Sequence, residues 1–147
     1  MLELETLTTA ELAARLRVVV VRTSRRLRQE ADTGLSPSLT AALVAIARRG
    51  PLTPSELADA ERVKRPTATR FVSCLERSGL VTRDPDPDDG RSYRVGITPA
   101  GAGLLAAAAG RKNAYLARGL ESLDADELAT LDRAAALLER LLDEEQR

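Results

Sequence analysis

The side chains best suited to bind another molecule lie in one segment, residues 65–81, with the sequence RPTATRFVSCLERSGLV. Read as a helix, this segment has an apolar face with members at i, i+3, i+4 and i+7: Ala68, Phe71, Val72 and Leu75. The opposite face carries polar and basic side chains: Thr69, Arg70, Ser73 and Arg77. Side chains of these types reach base edges and phosphates. The segment therefore predicts a helix that packs on one side and reads the major groove of DNA with the other.

The zero net charge of the 147-residue chain conceals an uneven distribution of charge. Residues 62–83 contain six basic side chains against one acidic side chain, whereas residues 119–147 contain nine acidic against three basic. A basic central block beside an acidic C-terminal region predicts local contact with a polyanion. We expect any DNA binding to be confined to the basic block and to weaken with salt.

The composition disfavours an enzyme or a metalloprotein. The chain has no histidine, which is the commonest general base and metal ligand, and its single cysteine cannot form a disulfide within the chain. Aromatic residues make up 2%, which argues against an aromatic platform for stacking single strands. We expect no catalytic residues, no cofactor and no metal.

Four aspartates near the predicted wing invite comparison with a calcium loop: Asp84, Asp86, Asp88 and Asp89. An EF-hand loop that began at Asp84 would need glycine at position 89 and glutamate at position 95, where this chain has Asp89 and Val95. We interpret the aspartates as turn-forming residues instead.

The N-terminal region predicts a cytoplasmic protein that has no membrane partner. It lacks the basic start and the long apolar stretch of a signal peptide. The longest strongly apolar run nearby, residues 18–21, is far too short to span a bilayer.

Capping and turn residues predict the order of the elements. Helix starts are indicated at Thr8, Ser36, Thr53, Pro66, Thr98 and Asp124. Two short strands, Val81 to Arg83 and Tyr93 to Ile97, flank the turn-rich sequence DPDPDDGRS. The order helix, helix, helix, helix, strand, strand, helix, helix predicts a mainly α protein with a small β wing. Its centre is a winged helix-turn-helix, and the first helix and the last two helices lie outside it.

Three features allow two interpretations each. The six arginines between Arg15 and Arg28 suit either a solvated helix face or extra phosphate contacts. The leucine-rich seam from Leu128 to Leu142 suits either a core within the chain or a dimer helix. Cys74 suits either a small filler residue or a thiol made reactive by nearby positive charge.

Four segments together resemble the MarR family of bacterial transcriptional regulators. They are LTPSELADA (52–60), RPTATRFVSCLERSGLVTR (65–83), DPDDGRSYRVGIT (86–98) and TPAGAGLL (98–105). Each segment alone is a weak match to the family, but all four in this order and spacing make a specific match. The resemblance covers about residues 8–145. Lys64 and Arg62 depart from the family, which often has a capping Ser or Thr and a glycine at these positions. The N-terminal helix has no cysteine and the chain has no histidine, so a redox or metal sensor of the familiar type is disfavoured.

The resemblance implies a homodimeric repressor that binds a pseudo-palindromic operator in double-stranded DNA and responds to a small-molecule effector. It implies an N-terminal dimerisation helix in residues 1–34, a winged helix-turn-helix DNA-binding lobe in residues 35–99 and C-terminal dimerisation helices in residues 100–147. The helix at residues 65–78 would lie in the major groove. Arg91 matches the wing arginine that enters the minor groove in this family.

The predicted DNA-binding residues share exposed positions on the reading helix or the wing: Arg65, Thr67, Thr69, Arg70, Ser73, Arg77, Arg91 and Arg94. Arg65 and Arg94 are expected to contact phosphates, which position the protein without reading sequence. The alternative function is a winged-helix protein-interaction module without specific DNA binding, whose basic helix meets an acidic partner.

Overall fold

Helices dominate the chain, and a computed structural model describes residues 7–144 of it. The elements in this range are α1 (Thr9–Glu30), α2 (Pro37–Arg49), α3 (Pro54–Glu61), α4 (Arg65–Arg77), β1 (Val81–Pro85), β2 (Tyr93–Ile97), α5 (Pro99–Leu120) and α6 (Ala125–Glu144). The predicted class, a mainly α protein with a small β wing, is confirmed together with the predicted order of elements.

Side-chain caps begin the helices where the sequence predicts them. Three helices start with a reciprocal pair of hydrogen bonds: Thr8 with Glu11, Thr53 with Glu56, and Asp124 with Glu127. Each pair satisfies backbone N–H groups that have no partner inside the helix. The backbone N–H and the hydroxyl of Thr8 both donate to the Glu11 carboxylate, and these bonds lower the pKa of Glu11.

The hydrophobic core lies where α2, α3 and α4 meet the sheet. Its largest fully buried side chains are Leu43, Ile46, Leu57, Leu75, Val72, Val81 and Val95. Full burial of one such side chain contributes about 1.5–3 kcal/mol to stability. On α4, Ala68, Val72 and Leu75 are buried and Phe71 packs half-buried against the core, so the predicted apolar face is confirmed.

The turn between α3 and α4 holds an arginine in a left-handed conformation. Arg62 has φ 53° and ψ 44°, a region that usually favours glycine. The turn is closed by hydrogen bonds from the Arg62 and Val63 N–H groups to the carbonyls of Asp59 and Ala58, at 3.2 and 2.9 Å. The chain therefore accepts local strain at the turn between α3 and α4, and the Arg62 side chain stays exposed.

The wing is an antiparallel hairpin with a third, single-residue partner. β1 and β2 pair antiparallel, with Val81 opposite Ile97 and Pro85 opposite Tyr93. β1 is two residues longer than predicted, because Asp84 and Pro85 pair at a sheet edge where proline is tolerated. Leu52, just before α3, exchanges two backbone hydrogen bonds with Val95, at 3.0 and 2.7 Å. This bridge ties the wing to the start of α3.

The outer helices α1 and α6 bury none of their residues in this chain. α1 runs along α5, where the Arg26 guanidinium lies 5.4 Å from the centre of the Tyr115 ring. Large apolar side chains stay exposed on both helices, including Leu16 and Val19 on α1 and Leu131 and Leu141 on α6. None of the helices in residues 7–144 combines the length and apolar character that crossing a membrane requires.

Gly101, at the start of α5, has no room for a side chain. A Cβ atom there would collide with the carbonyl oxygen of Leu80 and lie 2.8 Å from Cγ1 of Ile97. That carbonyl also accepts a hydrogen bond from the Thr98 N–H at 3.0 Å, so it is not free to move. We expect Gly101→Ala to lower the free energy of unfolding by about 1–3 kcal/mol in urea denaturation.

The matched control is Gly103→Ala, two residues further along α5. A Cβ atom at Gly103 meets open space. Because alanine favours a helix over glycine, this variant should be unchanged or more stable by up to about 1 kcal/mol. Equal stability of the two variants would contradict the predicted collision with the Leu80 carbonyl.

Candidate nucleic-acid interface

The outer face of α4 presents two exposed arginines. Arg70 and Arg77 are exposed, whereas Val72 and Leu75 on the opposite face are fully buried. Arg70 makes no ion pair within residues 7–144, and Arg77 donates only a weak bond to Sγ of Cys74 at 3.4 Å. Both guanidinium groups are therefore available to donate to an external acceptor.

The hydroxyls on α4 are bonded back to the helix itself. Oγ1 of Thr69 donates to the Arg65 carbonyl at 3.0 Å, and Oγ of Ser73 donates to the Thr69 carbonyl at 3.1 Å. Both residues are partly exposed, as is Thr67, whereas Arg65 is exposed at the first turn. The structure thus brings six of the eight predicted residues together on one helix: Arg65, Thr67, Thr69, Arg70, Ser73 and Arg77.

Arg83 of the wing clamps α4 to the sheet. Its Nη2 donates to Oγ of Ser73 at 3.0 Å, its Nε pairs with Glu76 at 3.0 Å, and its guanidinium lies 4.7 Å from the centre of the Tyr93 ring. From the sequence alone, Arg83 is recognisable only as a member of the basic block. Side chains alternate between the two faces of a strand, so Arg83 lies on the same face of β1 as the buried Val81. This alternation is the sequence signal that could have placed Arg83 on the inner face of the wing.

The tip of the wing presents Arg91. This side chain is exposed, and its backbone N–H donates to Oδ1 of Asp89 at 3.0 Å. The Asp89 carbonyl accepts from the Ser92 N–H at 3.0 Å. The aspartate therefore shapes the turn through the backbone and leaves the Arg91 guanidinium without an ion pair in the described part of the chain.

Arg94 is bound within the protein. Its Nε lies 3.3 Å from Oδ1 of Asp86, and its Nη1 lies 3.6 Å from the capping carboxylate of Glu56 and 3.3 Å from the Pro51 carbonyl. Asp86 is only 8% exposed, and the same Oδ1 also accepts from the Asp88 N–H at 3.1 Å. The structure separates Arg94 from the six α4 residues and makes it a link between the wing and the start of α3.

The start of α4 has no side-chain cap. Lys64 occupies the N-cap position without a hydrogen bond to the helix, and Pro66 follows in the first turn. Pro66 has no N–H group, and the N–H groups of Thr67 and Ala68 donate to the Lys64 carbonyl at 2.9 and 3.2 Å. The exposed side chains of Lys64 and Arg65 therefore supply most of the positive charge at this helix end, which suits a phosphate.

This fold and this basic face define a winged helix-turn-helix DNA-binding protein. A profile described as the MarR family matches residues 35–93. The chain is 39% identical, over 92% of its length and 95% of the other, to an HTH-type transcriptional regulator of Mycobacterium tuberculosis. A solved Pseudomonas aeruginosa protein is 37% identical with a TM-score of 0.82, covering 93% of this chain and 97% of that one. A solved MarR family protein from Bacillus stearothermophilus is 27% identical with a TM-score of 0.78, covering 94% and 95%.

The chain belongs to the MarR family of transcriptional regulators, whose members bind DNA and are generally dimeric. The resemblance drawn from the four sequence segments is confirmed.

The link through Arg94 predicts a stability effect that Arg91 does not share. Arg94→Met removes the cationic partner of the buried Asp86 carboxylate, which keeps only the Asp88 N–H. It should lower the free energy of unfolding by about 1–2 kcal/mol, because the ion pair is partly exposed. Arg91→Met makes the same chemical change at the exposed wing tip and should leave stability within about 0.5 kcal/mol of wild type. Urea denaturation of both variants tests this, and equal losses would show that the Arg94 contacts do not stabilise the wing.

Proposed function

We propose that this protein is a homodimeric repressor that binds a pseudo-palindromic operator. In each subunit α4 enters the major groove, where Arg70, Ser73, Arg77, Thr67 and Thr69 face base edges and Arg65 contacts a phosphate. Arg91 enters the flanking minor groove. The observation that carries the proposal is the pair of exposed guanidinium groups on α4 directly opposite its buried face, with a third at the tip of the wing.

The apolar surfaces of α1 and α6 support a dimer. The large exposed apolar side chains on these helices are Leu12, Leu16, Val18, Val19, Val20, Val21, Leu128, Leu131, Leu137, Leu138, Leu141 and Leu142. Burial of such surface between two copies is favourable by about 25 cal/mol per Å². Residues 1–34 and 100–147 would then serve as dimerisation regions, and residues 35–99 as the DNA-binding lobe. Two copies of α4 would face successive major grooves about one helical turn apart.

A cavity supports an effector response. It has a volume of about 820 Å³ and lies where α1 meets α2 near the end of α3. Its basic lining residues are Arg25, Arg28, Arg48, Arg49 and Lys112, against the acidic Asp32 and Glu61. The excess of positive charge favours an organic anion. The cavity is lined both by α1, a proposed dimerisation helix, and by α2 and α3 of the DNA-binding lobe. A ligand bound there would therefore change the orientation of α4 relative to the dimer and release DNA.

Selection of duplex sequences from a random pool tests the central proposal. Enrichment of a palindrome with half-sites about ten base pairs apart, weakening steeply with salt, is the expected result. A protein that dimerises but enriches no sequence would instead favour the protein-interaction module with an acidic partner.

Arg91→Ala tests the wing. Loss of a minor-groove arginine should weaken operator binding by about 1–3 kcal/mol, relax preference in the flank and reduce the salt slope by about one. The control Arg133→Ala removes an exposed arginine from α6 and should bind like wild type. If Arg91→Ala binds operator and mismatched flanks as wild type does, the wing does not read DNA.

Leu131→Lys tests the dimer. A charge placed in the apolar surface of α6 should convert the protein to a monomer in sedimentation equilibrium and abolish preference for the second half-site. Ala129→Lys adds the same charge about 160° away around the helix and should remain dimeric. A dimeric Leu131→Lys would exclude this face from the interface.

The charge of the cavity predicts which ligands it accepts. Benzoate should raise the melting temperature of the protein and weaken operator binding, whereas neutral benzyl alcohol of similar size should do neither. Arg48→Gln should reduce the effect of benzoate. Equal effects of the two compounds would contradict a cavity that selects anions.

A further inference from the structure

Two neighbours determine the hydrogen-bond directions of the Ser73 hydroxyl. Its Oγ lies 3.1 Å from the Thr69 carbonyl oxygen, which can only accept, and 3.0 Å from Nη2 of Arg83, which can only donate. The hydroxyl proton must therefore point at the Thr69 carbonyl, and one oxygen lone pair is occupied by Arg83. A single acceptor position remains for another molecule.

Arg83 is held in this arrangement before any DNA arrives. The ion pair with Glu76 at 3.0 Å and the Tyr93 ring at 4.7 Å hold the guanidinium on two further sides. Ser73 is partly exposed and lies between Arg70 and Arg77 on the outer face of α4. The acceptor position of Ser73 is therefore a built feature of the DNA-facing surface.

Acceptor-only character excludes several contacts. Phosphate oxygens, guanine N7 and O6, and thymine O4 are all acceptors, so none of them can bond to Ser73 unless its proton leaves the Thr69 carbonyl. In the major groove only two groups donate, the N6 amino group of adenine and the N4 amino group of cytosine. Thr69, whose proton points at the Arg65 carbonyl, is limited in the same way.

We propose that Ser73 is a specificity-determining residue that selects an amino-bearing base, adenine or cytosine, at one position of each half-site. Arg83 is the positioning residue that occupies the second lone pair and orients the hydroxyl. Arg70 and Arg77 supply the donors of the same face and suit guanine. The proposal rests on the proposed function, because it assigns chemistry to the DNA that α4 would read.

The test pairs a protein change with a DNA change on the operator selected by the full-length protein. Ser73→Ala is expected to lose base preference at one position of the half-site, which identifies that position, and to bind about three- to tenfold more weakly. At that position, adenine is replaced by purine or cytosine by 2-pyrimidinone, each of which lacks the amino group. The analogue should weaken binding of the wild-type protein by a similar factor. It should cause little further loss of binding by Ser73→Ala, because the protein change and the DNA change remove the same contact. The effect of the analogue on base pairing acts on both proteins alike.

Three further variants separate a change in base preference from a general effect on the structure. Arg83→Lys keeps a donor and should retain the preference at that position, whereas Arg83→Met should broaden it and leave the positions read by Arg70 and Arg77 unchanged. Ser38→Ala removes an exposed hydroxyl from α2 and should leave the selected sequence unaltered.

The outcomes are distinguishable. Three outcomes would overturn the inference while leaving the repressor proposal standing. The position that Ser73→Ala relaxes could prefer guanine or thymine, or the losses from the protein change and the DNA change could multiply. The Ser73→Ala variant could also select the wild-type operator. Failure of wild type to enrich any sequence would overturn both.

Discussion

The burial of one face of α4 is the constraint on which the rest of the interface depends. Val72 and Leu75 are completely buried against α2, α3 and the sheet. A helix with 3.6 residues per turn cannot bury these positions without turning Arg70 and Arg77 outward. The core therefore sets the direction in which the guanidinium groups project, and no separate interaction is needed to expose them. Volume changes at Val72 or Leu75 would shift the outer face of α4 for the same reason.

The wing depends on charged links to the helices it accompanies. Arg94, which pairs with Asp86 inside the wing, joins the wing to the capping carboxylate of Glu56 and to the Pro51 carbonyl. The Leu52–Val95 bridge adds two backbone bonds beside them. On the other side Arg83 joins it to Ser73 and Glu76 of α4. A two-stranded hairpin is marginal alone in water, so these links are what give Arg91 a defined position relative to the reading helix.

Local signals predicted most of this fold, and contacts between distant residues supplied what the sequence could not predict. Caps such as Thr53 with Glu56, and the apolar spacing of Ala68, Val72 and Leu75, act within one turn or one helix, so they can be read directly from the chain. The partners of Arg94 lie up to 43 residues away, and the Leu52–Val95 bridge involves a single residue with no strand pattern around it. Because these partners are distant in sequence, the sequence alone predicts a phosphate contact for Arg94, whereas the structure shows partners for it inside the protein.

The division between a well-packed lobe and weakly packed outer helices has a consequence for regulation. In the proposed dimer α1 and α6 would be covered by the second copy, so the separation of the two α4 helices would depend on how each lobe is joined to that covered region. The outer helices meet the lobe at two places: Ala31 is buried at the end of α1, and Leu104 and Leu105 of α5 pack against the core. The Asp32 carbonyl accepts from Nη2 of Arg111 at 3.3 Å, which ties the end of α1 to α5. The basic cavity borders this same junction. A ligand could bind more tightly to one orientation of the lobe relative to the outer helices than to another. Such a difference in affinity is enough to change the spacing of the two α4 helices, and the ligand need not contact either of them.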